Sequence, residues 1–262
     1  MPSALRHLLE TIAVVLSLTL LGAICLTWSV FALPLYLVLP AKPGLRCGRL
    51  GILGGFRLYV WSVRLMRIYN LDLRALRTLL EGPAVVLAPN HPSLIDALLI
   101  IAHNPRVACV MKSSLMNNVF LGAGARLARY IRNEPPRRMI ADSVAELKRG
   151  GLVLLFPEGT RTTRAPVNSL TASVGIVSKH AQVPVQTLLI EQDSPYLSKG
   201  WGLFRRPSMP ITYTMRLGRR FDPPRDVRSF TQELEQYFRD ELAASAQNLW
   251  IEERARARES SS

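Results

Sequence analysis

Acidic residues are scarce in this chain, and over one long stretch charge is absent. Residues 11 to 41 contain no Asp, Glu, Lys or Arg. That run exceeds the ~20 apolar residues a membrane-spanning helix needs, and it is too long for the ~7–15-residue apolar core of a signal peptide. Pro34 and Pro40 interrupt its second half. Basic residues flank it on both sides, Arg6 before and Lys42, Arg46 and Arg49 after. Two topologies follow: a single span with its more basic C-terminal side in the cytoplasm, or a re-entrant helical pair with both ends on that face. Over the whole chain 19 Asp and Glu face 33 Lys and Arg, giving a net charge of +14. Such a chain suits an anionic partner. No nucleic-acid-binding motif is present, so a basic face beside a long apolar run points to an anionic lipid surface rather than to nucleic acid. Only 5 of the 33 cations are Lys; a genome's composition explains that bias as readily as function does. Three cysteines (Cys25, Cys47, Cys109) lie far apart. This sparse, odd count argues against a disulfide framework, offers no metal-ligand spacing, and fits a reducing compartment or indifferent thiols. No Gly-x-Ser-x-Gly turn occurs, which removes the nucleophile elbow of a serine hydrolase. There are no internal repeats.

What is present centres on Asn90-His91-Pro92-Ser93-Leu94-Ile95-Asp96. The apolar run Ala84 to Pro89 before it reads as a buried strand, and Ala97 to Ile101 after it as a helix. A residue before proline is pushed out of the α region, and Pro92 suits the first helical position. The pattern therefore predicts His91 on the cap and Asp96 one turn inside the helix. An aspartate on one imidazole nitrogen fixes the tautomer and leaves the other nitrogen to take a proton from an alcohol. Spacing alone serves equally a histidine at a helix start with an ordinary Asp nearby.

A second apolar strand, Gly150 to Leu155, runs into Phe156-Pro157-Glu158-Gly159-Thr160-Arg161. His-x4-Asp after one strand and Phe-Pro-Glu-Gly-Thr-Arg after a later one together resemble the glycerolipid acyltransferase family, which contains bacterial lysophosphatidate acyltransferases. The resemblance covers roughly residues 80 to 220 and implies a single mixed-sheet α/β domain flanked by helices, behind a membrane-embedded N-terminal helical element. It implies acyl transfer from acyl-CoA or acyl carrier protein to a lipid hydroxyl, with His91 as general base, Asp96 orienting it, and no metal or cofactor. Arg161, with Glu158, Gly159 and Thr160 shaping the pocket, would contact anionic parts of the acceptor, since a guanidinium matches phosphate bidentately and turn N–H groups add donors. The competing role is a Glu158–Arg161 pair that merely holds the turn. Backbone N–H groups and Thr or Arg side chains near 159–161 are candidates for the oxyanion site. The family's second block departs here: its acceptor-phosphate arginine falls on Pro135, with Arg132, Arg137 and Arg138 near enough to substitute. Three functions follow: a lysophosphatidate-type acyltransferase, the same chemistry on another lipid such as a lyso-ornithine or polyene lipid, or a non-catalytic membrane-binding protein that kept the fold. The family setting places such a protein in the bacterial inner membrane with its active site on the cytoplasmic side.

The remaining expectations concern organisation. The chain divides into a membrane-embedded segment (1–44), basic amphipathic interfacial helices (45–82), the α/β domain (83–250) and a charged tail (251–262). Residues 50 to 80 read as helical, with Arg57, Arg64 and Arg67 on one stripe and Arg74 and Arg77 repeating it. Strands are expected at 106–112, 183–190 and 211–217, and helices at 139–149, at 170–182 with Ala172, Ile176 and Val177 inward, and at 229–250. The 194–206 loop, carrying Trp201, Leu203, Phe204, Arg205 and Arg206, reads either as an interface contact or as a lid. Oligomeric state leaves no trace in the sequence.

Overall fold

The computed structural model describes residues 3–79 and 82–252. The expected tail from Arg254 to Ser262 lies outside the described residues. Two long helices come first, α1 (Ser3–Val38) and α2 (Ala41–Leu65). Trp28 of α1 faces Gly51 of α2, and Ile24 faces Gly55, so the two run antiparallel as a hairpin. α1 is long and apolar enough to cross a membrane. Next come β1 (Tyr69–Asp72), a 3-10 turn over Arg74–Leu79, and β2 (Val85–Pro89). The chain continues through α3 (Asp96–Ile101), β3 (Val107–Met111), α4 (Ser113–Met116), α5 (Gly122–Leu127) and β4 (Ile131–Arg132). It ends with α6 (Pro136–Lys148), β5 (Leu152–Leu154), α7 (Ser173–Ala181), β6 (Val185–Gln192), β7 (Ile211–Phe221) and α8 (Val227–Leu242).

The strands form one mixed seven-stranded sheet in the order β1-β7-β6-β2-β5-β3-β4. All neighbours are parallel except β6 and β7. Side chains alternate between its faces, as the pleat requires. Leu87, Cys109, Leu154 and Leu188 pack toward α2 and α3. Val86, Ala88, Val153 and Leu189 pack toward α6, α7 and α8. Buried on both faces, β2 and β5 are uniformly apolar, which is why both were readable as strands. The parallel arrangement brings the carboxyl ends of β2, β5, β3, β4 and β6 to one edge of the sheet, where ligands bind in open α/β folds.

Several expectations need correction. The helix expected over 50 to 80 ends at Leu65, and Arg67 turns the chain with a φ of 53°. Tyr69–Asp72 then pairs with Ile211–Thr214 of β7, so this segment belongs to the sheet rather than to an interfacial helix. Arg74 and Arg77 lie on the 3-10 turn, where Arg74 pairs with Asp72 at 2.7 Å. α3 begins at Asp96 rather than at Pro92, because the Asp96 carboxylate accepts the Ser93 N–H at 2.9 Å and closes a separate turn first. Ala172 precedes α7 and is exposed, and Ile176 is only partly buried; Val174, Val177 and Ala181 make the inward face. α8 stops at Leu242, and residues 243–246 break the expected run before a further helical stretch from 247.

The N-terminal hairpin is packed into the domain. Gly48 lets α2 approach α5 so closely that a Cβ there would lie 2.4 Å from the Ala128 nitrogen. Gly48→Ala should cost roughly 1–3 kcal/mol by overpacking. A lowered thermal midpoint in detergent checks this, and an unchanged midpoint would mean that α2 rides free of α5.

Candidate active site

The turn from Asn90 to Asp96 follows β2 and is held from every side. Asn90 is fully buried and exchanges two bonds with the backbone of Ile190 on β6: its Nδ2 donates to the carbonyl at 2.8 Å, and its Oδ1 accepts the N–H at 2.7 Å. The Leu94 N–H donates to the Leu197 carbonyl at 3.0 Å, and the Ser93 hydroxyl to the Tyr196 carbonyl at 3.2 Å. Tied to β6 and to the 194–206 loop in this way, the turn holds its side chains in fixed directions.

His91 and Asp96 are brought together. Nδ1 of His91 lies 2.7 Å from Oδ2 of Asp96, whose side chain is 0% exposed. A carboxylate only accepts, so it fixes the hydrogen on Nδ1 and leaves the lone pair on Nε2. Oδ1 of Asp96 accepts from the hydroxyl of Tyr213 on β7. The imidazole stacks on Phe156, ring centroids 3.8 Å apart at an interplanar angle of 22°. Sequence reasoning missed Phe156 and Tyr213. Phe156 stands in the second motif, so its neighbourhood at least was marked.

Glu158 is buried and cross-links two loops. Its Oε1 accepts the His91 N–H at 2.9 Å and the Thr162 hydroxyl at 2.8 Å, while its Oε2 accepts the Asn168 N–H at 2.9 Å. Thr162 returns the tie, its N–H reaching the His91 carbonyl at 2.7 Å. Gly159 takes a φ of 65° in the turn, and its N–H donates to the Phe156 carbonyl. That N–H is therefore engaged, which removes it from the expected oxyanion donors. Thr160 beside it is partly buried. Arg161 does not pair with Glu158. Its Nη1 donates to the carbonyls of Leu197 at 2.9 Å and Ser198 at 3.1 Å, fastening the 194–206 loop to the site. Burial lowers the pKa of Arg161, against the opposing charge of Asp96.

Arg132 stands apart. Arg132 ends β4 at the same edge of the sheet, but β5 and β3 intervene between β4 and β2. Three inter-strand steps amount to roughly 14 Å. Arg132 is exposed, with its Nη2 3.4 Å from Asn117 Oδ1. Arg137 is exposed on the first turn of α6. Beside the His91 turn a cavity of about 520 Å³ opens, walled by Leu94, Ile95, Leu98, Trp28, Gly124 and Leu197 among other mostly apolar residues.

Burial pushes the Glu158 carboxyl up to about 7, against the three donors that favour its charged form. A raised carboxyl pKa means that the folded state holds the proton more tightly than the unfolded one. Its stabilising contribution is thus full below the ordinary value of 4.5 and is lost as pH rises to about 7. Glu158→Gln should remove that part of the pH dependence of the melting temperature. It should also cost ~1–3 kcal/mol, because one of the three donors loses its acceptor. An unaltered melting profile between pH 4.5 and 7 in the variant would sink this assignment.

A family model described as Acyltransferase matches residues 70–191, which include the His91 turn and the Glu158 loop. The 1-acyl-sn-glycerol-3-phosphate acyltransferase of Pseudomonas aeruginosa is 23% identical over 201 residues, spanning 74% of this chain and 77% of that protein. The crystal structure of the 1-acyl-sn-glycerophosphate (LPA) acyltransferase PlsC from Thermotoga maritima shares the fold. Its TM-score is 0.66 at 17% identity, covering 92% of this chain and 96% of that one. Residues 70–191 thus match an acyltransferase model, and the chain is similar to acyltransferases of the 1-acyl-sn-glycerol-3-phosphate type.

Proposed function

We propose that the chain is a membrane-bound O-acyltransferase. It would move a fatty acyl group from acyl-CoA or acyl carrier protein to the free hydroxyl of a 1-acylglycerol-3-phosphate-like lysophospholipid. The observation that carries this reading is the 2.7 Å Nδ1–Asp96 contact, which leaves Nε2 of His91 with its lone pair. Nε2 takes the proton of the acceptor hydroxyl as the alcohol oxygen attacks the thioester carbonyl. The tetrahedral intermediate collapses, the carbon–sulfur bond breaks, and the imidazolium returns its proton to the departing thiolate. Thr160 and Arg161 are the candidates to stabilise the oxyanion. The 520 Å³ cavity lies in the ~300–1,000 Å³ range of ligand sites and suits an acyl chain.

Membrane attachment is part of the proposal. α1 exposes Leu8, Leu16, Val30, Phe31 and Leu37, and α2 exposes Leu50, Leu58, Trp61 and Leu65 beside its arginines. An antiparallel hairpin of this kind favours the re-entrant topology, with basic α2 at the headgroups of the cytoplasmic leaflet of a bacterial inner membrane. Two observations favour a second reading, in which the acceptor lacks a glycerophosphate: Pro135 stands at the family's arginine position, and Arg132 ends a strand three places from the β2 strand that precedes His91.

Transfer from radiolabelled acyl-CoA and acyl carrier protein, with the protein in lipid, separates these readings. Product on lysophosphatidate supports the first. Product only on non-phosphorylated lyso-lipids supports the second. His91→Ala should lower transfer by roughly 10²–10⁴-fold while leaving vesicle association intact; near-normal turnover in that variant would remove His91 as the base. Arg161→Ala should raise KM for the acceptor more than for the donor, and an equal loss for both would reduce Arg161 to a fastener of the 194–206 loop.

A further inference from the structure

Asp96 carries more donors than a His–Asp pair requires. Its Oδ2 accepts from His91 Nδ1 and from the Ser93 N–H, and its Oδ1 accepts from the hydroxyl of Tyr213. Asp96 and Tyr213 are both 0% exposed. Tyr213 lies on β7, where it is registered against Leu71 of β1 and Gln192 of β6, and the alternation along the strand turns it inward. Tyr69 meets its ring edge-on, with centroids 6.5 Å apart, and Tyr196 lies 6.1 Å from Tyr69. Three buried tyrosines thus gather beneath the turn. The hydroxyl of Tyr69 has no hydrogen-bond partner among the described residues and that of Tyr196 faces Ser17 of α1, whereas that of Tyr213 is bonded to the carboxylate. The shared aromatic packing explains all three rings, but it does not explain why one hydroxyl is aimed at Asp96.

We infer that Tyr213 is a positioning residue of the acyl-transfer reaction, setting the orientation of the Asp96 carboxylate and the charge it presents to the His91 imidazole. The inference rests on the reading of His91 as general base. A phenol donating to Oδ1 leaves the lone pairs of Oδ2 to His91 and Ser93, which fixes the plane of the carboxylate. It also draws off negative charge that would otherwise stabilise the imidazolium. The other groups facing this pair are His91, whose imidazole it holds, Glu158, which accepts the His91 N–H, Arg161 across the site, and Tyr69 and Tyr196 from β1 and the 194–206 loop. Burial and the neighbouring Asp96 hold the Tyr213 hydroxyl well above its ordinary pKa, so it stays a donor at physiological pH.

The test is Tyr213→Phe in the full-length protein in lipid, with Tyr196→Phe as the control that removes a hydroxyl from the same cluster without touching Asp96. In Tyr213→Phe, kcat should fall roughly ten- to hundred-fold, the span of one hydrogen bond to a charged group, with both KM values within about twofold of wild type. The acid limb of the kcat/KM profile should move up in pH. Loss of a donor raises the proton affinity of Asp96, and a less neutralised carboxylate raises that of His91; both act in the same direction. Tyr196→Phe should leave the limb where it was. If Tyr213→Phe fails to fold, 3-fluorotyrosine at position 213 keeps the packing and strengthens the donor, and the limb should then move down. A wild-type profile in either substituted protein, or an equal upward shift in Tyr196→Phe, overturns the inference. His91→Ala separates the two levels: an active variant defeats the general-base reading itself, whereas an inactive one beside a normal Tyr213→Phe defeats only the role of Tyr213.

Discussion

A carboxylate with no access to water is the constraint around which this fold is arranged. Burying a charge costs several kcal/mol unless its oxygens are met by donors. Asp96 has one donor from its own turn, one from the imidazole it orients and one from a strand 117 residues away. The imidazole is fixed in its turn. Phe156 covers its face, and Glu158 and Thr162 hold the His91 backbone by both its N–H and its carbonyl. These groups meet only because the sheet sets β5 and β6 on either side of β2, with antiparallel β7 beyond β6. Strand order, more than any single motif, converts a His-x4-Asp spacing into an oriented pair.

That dependence explains what was legible in the sequence. β2 and β5 showed themselves because both faces of each are buried, which leaves an uninterrupted apolar run. His91, Asp96 and Glu158 showed themselves because polar residues at the ends of such runs are conspicuous. β1 did not. Tyr-Asn-Leu-Asp carries no strong strand pattern, and it is a strand only through its partners on β7. Tyr213 is one of seven tyrosines, and nothing local distinguishes it. The partners of Arg161 are backbone carbonyls, which have no sequence signature at all. The start of α3 was misplaced for a related reason: Pro92 is a good first helical residue, but the Ser93 N–H goes to the Asp96 side chain instead, and the helix waits for Asp96.

The N-terminal hairpin was legible as an apolar segment, but not as part of the core. Val14 is fully buried, Tyr59 and Val63 are each 1% exposed, and all three belong to the same apolar cluster as Leu87 and Leu154 of the central sheet. Trp28 and Ile52 of the hairpin line the cavity together with Leu94 and Ile95 of the His91 turn. A segment that only anchored a soluble domain would leave the core closed without it. Here one face of the hairpin finishes the domain and the other carries the exposed leucines.

Such a wall must be held in register, and one buried ion pair is placed to do so. Arg49 reaches from α2 to Glu146 of α6 at 2.8 Å, with further bonds to the carbonyls of Ala128 and Arg106. Both side chains are less than a tenth exposed. A buried pair of this kind adds little net stability over an apolar substitute, because desolvation offsets most of the attraction. Its geometry is nonetheless demanding, since a slide of one residue along α2 would move the guanidinium by 1.5 Å and rotate it by about 100° away from Glu146. Apolar contacts along α1 and α2 tolerate such slips, as one leucine does for another. The ion pair does not, and Gly48 immediately before it permits only the close approach that brings it to Glu146. The apolar face therefore supplies the energy of docking, while a costly polar contact fixes where the cavity wall stands relative to His91.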